Sequence, residues 1–96
     1  MRYRLLARRG IQGFVEIFEK QVLTISAQTP NEVAEKLGGK FIAIKGEQCI
    51  IFPPRISIPP NLPAKAGKRL QRWVNQLADP VKLNGEIVKL FFIKKL

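Results

Sequence analysis

The sequence contains few of the side chains that catalysis requires. It has no histidine, which removes the usual general base near neutral pH and the commonest metal ligand. The single cysteine, Cys49, lies in an apolar segment with no acid or base beside it, whereas reactive thiols sit in electropositive, accessible surroundings. We therefore expect a packed, inert thiol in a protein that is not an enzyme.

Carboxylates occur in two close pairs, Glu16 with Glu19 and Glu32 with Glu35. A catalytic pair needs one carboxyl group with a raised pKa, and neither pattern predicts the burial that would raise it. Without histidines or paired cysteines, the sequence also offers no ligand set for a metal ion. We expect no catalytic residue, no metal and no cofactor.

Near the N-terminus, arginines alternate with apolar residues. Residues 2–8 have the period of a β-strand, with one face formed by Tyr3, Leu5 and Ala7 and the other by Arg2, Arg4, Leu6 and Arg8. Gly10 and Gly13 bracket a turn, and residues 13–19 predict a second strand. The two strands then form a hairpin.

The register of this hairpin decides which side chains lie beside the arginines. A loop with an odd number of residues joins the two apolar faces, whereas an even loop exposes half of the apolar set. The odd loop is therefore favoured, and it places Leu5 opposite Ile17, Arg4 opposite Phe18 and Arg8 opposite Phe14. Arginines beside exposed rings can hold phosphates while bases stack on the rings. Alternatively, the rings pack under a helix and the arginine stems extend along them.

A second basic surface is predicted on the longest helix, about residues 64–78, which follows a stiff connection at 53–63 that holds five of the seven prolines. Its apolar stripe consists of Ala66, Leu70, Trp73, Val74 and Leu77. The opposite face, called the basic stripe, consists of Lys65, Lys68, Arg69 and Arg72. Exposed helices are usually stabilised by side chains of opposite charge three or four residues apart. The predicted helix contains no acidic residue that could pair with its cations in this way. The basic stripe is either an anion-binding surface or a solvated face without a specific role.

The remaining elements are predicted from local signals. A strand over about 21–27 precedes Thr29-Pro30-Asn31-Glu32, a capping box with proline at the first helical position. It predicts a short helix over about 30–37 that ends at two glycines. Apolar runs at 41–44 and 48–52 predict strands buried on both faces. Asn84-Gly85 predicts a hairpin that leads into a central strand at 86–94.

Composition points to one folded domain of 96 residues, 46% of them hydrophobic. No apolar run approaches the roughly 20 residues that span a bilayer, and a single cysteine, which cannot form an internal disulfide, fits a reducing cytoplasm. Seventeen Lys and Arg against seven Asp and Glu give a net charge of +10, with no carboxylate between Glu47 and Asp79. Such a charge favours anionic partners.

We expect an α+β fold with a mainly antiparallel sheet of about five to six strands, one short helix and one longer amphipathic helix. The predicted function is non-catalytic binding to nucleic-acid phosphates, RNA more than DNA, through one continuous basic side. Its residues are Arg2, Arg4, Arg8, Phe14, Phe18, Lys65, Lys68, Arg69 and Arg72. The alternative is a small accessory subunit that docks on an acidic surface of a larger protein complex.

Overall fold

The computed structural model describes the backbone of residues 1–10 and 17–96 and the side chains of residues 1–8 and 19–96. Its elements are β1 (Arg2–Gly10), β2 (Ile17–Ser26), α1 (Pro30–Leu37), β3 (Lys40–Ile44), β4 (Glu47–Phe52), α2 (Ala64–Arg72), a π-helical turn (Trp73–Leu77), β5 (Pro80–Leu83) and β6 (Glu86–Lys95). The α+β class predicted from the sequence is confirmed, as are one short and one longer helix.

The strands form one antiparallel sheet in the order β2-β1-β6-β4-β3, and β5 also pairs with β6. Phe92 of β6 lies opposite both Leu6 of β1 and Cys49 of β4, so β1 and β4 occupy opposite edges of β6. Lys89 lies opposite both Phe52 of β4 and Pro80 of β5. β5 therefore shares an edge of β6 with β1, and β6 is the central strand that its apolar run predicts.

The first hairpin differs from the predicted one. β2 is a continuous strand of ten residues that crosses the boundary between the segments predicted as separate strands, 13–19 and 21–27. At that boundary the chain reads Glu19-Lys20-Gln21, without the glycine, proline, asparagine or aspartate that usually makes a turn. Nothing local therefore ends the strand there.

The odd-loop register is also wrong. Leu5 lies opposite Leu23 instead of Ile17. Between Leu5 and Leu6 the register shifts by one residue, which leaves Val22 as the extra residue of a β-bulge. Val22 and Leu23 are both buried, so the bulge lets two consecutive residues of β2 contribute to the core.

α1 begins with the predicted capping box. The Thr29 hydroxyl accepts a hydrogen bond from the backbone N–H of Glu32 (3.2 Å), and the Glu32 carboxylate accepts one from the N–H of Gln28 (2.8 Å). Gly38 ends the helix in the left-handed conformation, at φ 78°, which glycine adopts without a steric penalty. Its buried side chains are Val33, Ala34 and Leu37.

The proline-rich connection between β4 and α2 packs along α2. The Asn75 side chain accepts a hydrogen bond from the N–H of Ile56 (2.8 Å) and donates one to its carbonyl (3.0 Å). Gln71 donates to the same carbonyl at 3.4 Å. A Cβ atom at Gly67 would lie 2.8 Å from Ile58 Cγ2. These contacts fix the position of α2 against the rest of the chain.

α2 continues directly into the π-helical turn, so the helical segment covers residues 64–77. The N–H of Ala78 donates to the carbonyl of Trp73 (2.7 Å) across five residues. The carbonyl of Ala78 accepts a hydrogen bond from the ammonium of Lys89 (2.6 Å), a cation placed where a helix C-terminus favours one. Neither described helix has the length and apolar character needed to cross a membrane.

Both helices pack on one face of the sheet. The core on this face is formed by Leu5, Ile50, Phe52, Phe91 and Ile93 from the strands, Val33 and Leu37 from α1, and Leu70 and Val74 from α2. On the opposite face, called the open face, no described helix covers the sheet. Strand alternation and the registers of β1, β4 and β6 place there Arg2, Arg4, Leu6, Arg8, Cys49, Phe92 and Lys94.

Candidate nucleic-acid interface

The open face carries Arg2, Arg4 and Arg8 of β1, as their alternation predicts. Arg2 donates a hydrogen bond to the Thr24 hydroxyl of β2 (3.1 Å). Arg4 lies opposite Thr24 in β2 and opposite Lys94 in β6. Both arginines are exposed, so this end of the open face is basic.

Arg8 is engaged by side chains from three other strands. Its Nε donates to Glu19 of β2 (2.9 Å), and its Nη1 and Nη2 donate to the two carboxylate oxygens of Glu47 in β4 (2.7 and 2.6 Å). The guanidinium carbon lies 3.7 Å from the centroid of the Phe92 ring in β6. Only 22% of the Arg8 side chain is exposed. These contacts occupy three of the five N–H donors of the guanidinium, and Glu47 already fills its bidentate Nη1 and Nη2 side.

The Arg8 cluster, as we call it, consists of Arg8, Glu19, Glu47, Phe92 and Lys94. Lys94 lies 3.6 Å from Glu19, so two cations face two carboxylates and the cluster is neutral. Hydrogen bonding to Glu47, and secondarily to Glu19, raises the pKa of Arg8 above its ordinary value. The same hydrogen bonds from Arg8 lower the pKa values of both glutamates. Arg8 is thus neutralised by the protein's own glutamates and ties the strands together.

The cross-strand partners of Arg4 and Arg8 are not the predicted phenylalanines. Phe14 lies outside the described residues, and of Phe18 only the backbone is described, opposite Arg9. The predicted opposition of Arg4 to Phe18 and of Arg8 to Phe14 is wrong, because Thr24 and Glu19 occupy those places. The ring that contacts Arg8 is Phe92, and no local sequence pattern connects residues so far apart in the chain.

The basic stripe of α2 is placed as the sequence predicts. Its four side chains, Lys65, Lys68, Arg69 and Arg72, are all exposed, opposite the buried Leu70 and Val74. None of them forms an ion pair with a carboxylate among the described residues. At 1.5 Å per residue the basic stripe is roughly 10 Å long, about the length of three nucleotides of one duplex strand.

A groove runs between the basic stripe and the edge strand β2. It has a volume of about 390 Å³ and is lined by Gln21, Lys68, Arg69, Arg72, Trp73 and Leu77. The sequence predicts Trp73 as a core residue, and part of its side chain does pack against the core. It is only half-buried, and its position four residues after Arg69 is the signal that could have placed it beside the basic stripe.

The two basic sets do not form the continuous side predicted from the sequence. α2 packs on the core face of the sheet, and Arg2, Arg4 and Arg8 project from the open face. The sheet therefore lies between the two basic sets.

The residues weighed for catalysis have other surroundings. Cys49 is fully buried, and burial raises the pKa of its thiol. The hydrogen bond from Gln28 and the nearby ammonium of Lys36 hold the pKa of Glu32 below its usual range, which suits a cap and not a proton donor. No family model matches the sequence, and no curated protein or solved structure was found to match it. The function is therefore argued from charge and geometry alone.

Proposed function

We propose that this protein is a non-catalytic nucleic-acid-binding protein that contacts phosphates through the basic stripe of α2. One observation carries the proposal: four exposed cations share one helix face, and no carboxylate among the described residues pairs with them. Arginine and lysine form charge-assisted hydrogen bonds with phosphate oxygens, and arginine can bind them in a bidentate geometry.

Two further features support the choice of the basic stripe over the open face. On the open face, Arg8 of the sequence-predicted set is already bound by Glu19 and Glu47. The segment that contains the basic stripe lies in the part of the sequence without any carboxylate, between Glu47 and Asp79. The electrostatic attraction for a polyanion is therefore least cancelled at α2.

The proposal predicts a measurable dependence on salt. Each phosphate contact contributes a slope of about −0.7 for single strands and about −0.9 for duplex DNA in a plot of log affinity against log salt concentration. Four contacts from the basic stripe correspond to slopes of about −2.8 and −3.6. The affinity for an acidic protein surface, bound through a shape-matched interface, should change less with salt concentration.

The decisive experiment compares two double variants with the same change of charge. Lys68→Glu with Arg69→Glu alters the basic stripe, and Arg2→Glu with Arg4→Glu alters the open face. Each substitution changes the charge by two, so both variants fall from +10 to +6. Affinities for single-stranded RNA, single-stranded DNA and duplex DNA are measured by fluorescence anisotropy, with thermal unfolding as the check on folding.

The basic-stripe variant should lose about 25- to 60-fold in affinity at about 0.1 M salt, since two contacts are removed, and the open-face variant should lose much less. An equal loss in both variants would show that only the total charge matters. Unchanged binding by the basic-stripe variant, or no binding by the unmodified protein, would contradict the proposal. Absence of binding would favour the alternative of docking on an acidic protein surface.

A further inference from the structure

The half-buried Trp73 lies at the edge of the basic stripe, in the groove that also contains Lys68, Arg69 and Arg72. We propose that this groove binds single-stranded nucleic acid, with one base stacked on the exposed part of the Trp73 ring. This inference rests on the proposed function, because the cations must hold the phosphates before the ring can take a base. It adds to that function a preference for single-stranded nucleic acid and the stacking contact with Trp73 that produces this preference.

The ring is held as a rigid platform. Part of Trp73 packs against the core, where the neighbouring Leu70 and Val74 are fully buried. Its indole N–H donates to none of the side chains or carbonyls whose hydrogen bonds the structure describes. Because this packing already orders the ring, stacking of a base costs little side-chain entropy.

The surroundings of the ring match the parts of a nucleotide. Arg69 precedes Trp73 by four residues, so the two lie on one side of the helix, and Arg72 lines the same groove. The exposed Gln21 of β2 forms the facing wall of the groove. Its amide carries both donors and an acceptor, which can meet the edge of a base while the cations meet the backbone.

The geometry favours a single strand for a simple reason. In a duplex both faces of each base are covered by the neighbouring bases, so stacking on a protein ring requires a base to be unstacked and unpaired. A single strand offers its base faces without unpairing. The helix that carries the cations cannot by itself make this distinction, because phosphates are present in both forms.

The backbone at this residue is unusual in an independent way. The π-helical turn begins at Trp73, whose carbonyl accepts the hydrogen bond from Ala78. Its C-terminal end is fixed by Lys89, which is only 8% exposed. π-helical turns are rare and occur frequently at functional sites. Here the turn begins at Trp73, an aromatic residue that lines the groove.

The first test uses the intrinsic fluorescence of the protein, since Trp73 is its only tryptophan. Oligo(dT) and oligo(U) of about 12 nucleotides are compared with a duplex that presents the same number of phosphates. Saturation with the single strands should quench and shift the emission, and saturation with the duplex should leave it nearly unchanged. Anisotropy of labelled oligonucleotides confirms that binding has occurred in each case.

The second test compares Trp73→Leu with Trp73→Phe, which keeps an aromatic face. Stacking of one base predicts a loss of about 5- to 150-fold in single-strand affinity for Trp73→Leu, with most of the affinity kept by Trp73→Phe and duplex affinity unchanged in both. Thermal unfolding shows whether each variant folds. The unmodified protein's emission decides the matter independently of either variant.

The outcomes separate the two proposals. Binding of single strands that leaves the Trp73 emission unchanged, or equal affinity for duplex and single strand, overturns the stacking inference and leaves phosphate binding by the basic stripe intact. Binding of no oligonucleotide overturns both. Quenching by single strands that is lost in the basic-stripe variant supports both.

Discussion

The hydrogen bonds between Asn75 and the proline-rich connection should contribute measurably to stability. Asn75 satisfies both backbone groups of the half-buried Ile56, at 2.8 and 3.0 Å. In Asn75→Ala the N–H of Ile56 loses its partner, whereas its carbonyl keeps the longer bond from Gln71 at 3.4 Å. The substitution therefore leaves one backbone donor without a protein partner and one acceptor weakly bonded.

The magnitude follows from these contacts. An unsatisfied buried donor costs about 1–3 kcal/mol, and because water reaches part of the half-buried Ile56, we expect a loss of about 1–2 kcal/mol for Asn75→Ala. For a domain of this size that corresponds to a fall of about 4–16 °C in Tm. Gln71→Ala is the matched control and should cost less than about 0.5 kcal/mol, because Asn75 still serves the same carbonyl.

The assay is urea unfolding followed by the fluorescence of Trp73, with circular dichroism as a second probe of the same transition. A shift of the midpoint at constant slope gives the change in the free energy of unfolding. If Asn75→Ala lies within about 0.5 kcal/mol of the unmodified protein, or if Gln71→Ala is equally destabilised, the connection does not depend on this amide and the reasoning fails.

Two further predictions concern the core and the open face. Gly39→Ala should destabilise the protein by about 1–3 kcal/mol in the same urea assay, because its Cβ would lie 2.5 Å from Ile50 Cγ2; an unchanged midpoint would contradict the close packing. Arg8 lowers the pKa values of Glu19 and Glu47. The stabilisation from these ion pairs is therefore complete above the ordinary glutamate pKa of about 4.3. It is lost as the pH falls through the lowered pKa values and the carboxylates become protonated. The free energy of unfolding should therefore fall less steeply below about pH 5 in Glu47→Gln than in the unmodified protein, and parallel pH curves would refute this.

Much of the fold could be predicted because its signals are local. The capping box at Thr29 fixes the start of α1 through hydrogen bonds within five residues of sequence. Asn84 and Gly85 adopt the positive φ angles, 49° and 82°, of a two-residue hairpin. Lys45 and Gly46 also have positive φ angles, 50° and 80°, in the turn between β3 and β4. Glycine and asparagine adopt positive φ readily, so residue type favours the conformation of Gly46, Asn84 and Gly85, whereas Lys45 has no such preference.

The register of the first hairpin could not be predicted from alternation. A period of two assigns side chains to faces, and this assignment is confirmed for β1. It does not say which residue lies opposite, since Ile17, Leu23 and Ile25 are all apolar candidates for pairing with Leu5. The bulge at Val22 depends on packing under the helices, which has no local signature.

The candidate site likewise has one part that local sequence patterns predict and another part that depends on contacts between distant residues. Helical periodicity alone places the basic stripe on an exposed face, and the structure agrees. The neutralisation of Arg8 requires Glu47, which is 39 residues away in the sequence. Trp73 satisfies two patterns at once, the apolar stripe and the neighbourhood of Arg69, and only the packing of α2 against β2 shows that both apply.

The central position of β6 has a consequence for how the molecule is assembled during synthesis. β6 pairs with β1, β4 and β5, so it is the strand through which the hairpin of β1 and β2 joins the hairpin of β3 and β4. Until residues 86–95 have left the ribosome, these two hairpins share no common strand. The nascent chain therefore carries exposed strand edges and apolar surface, and stable folding waits for one late segment.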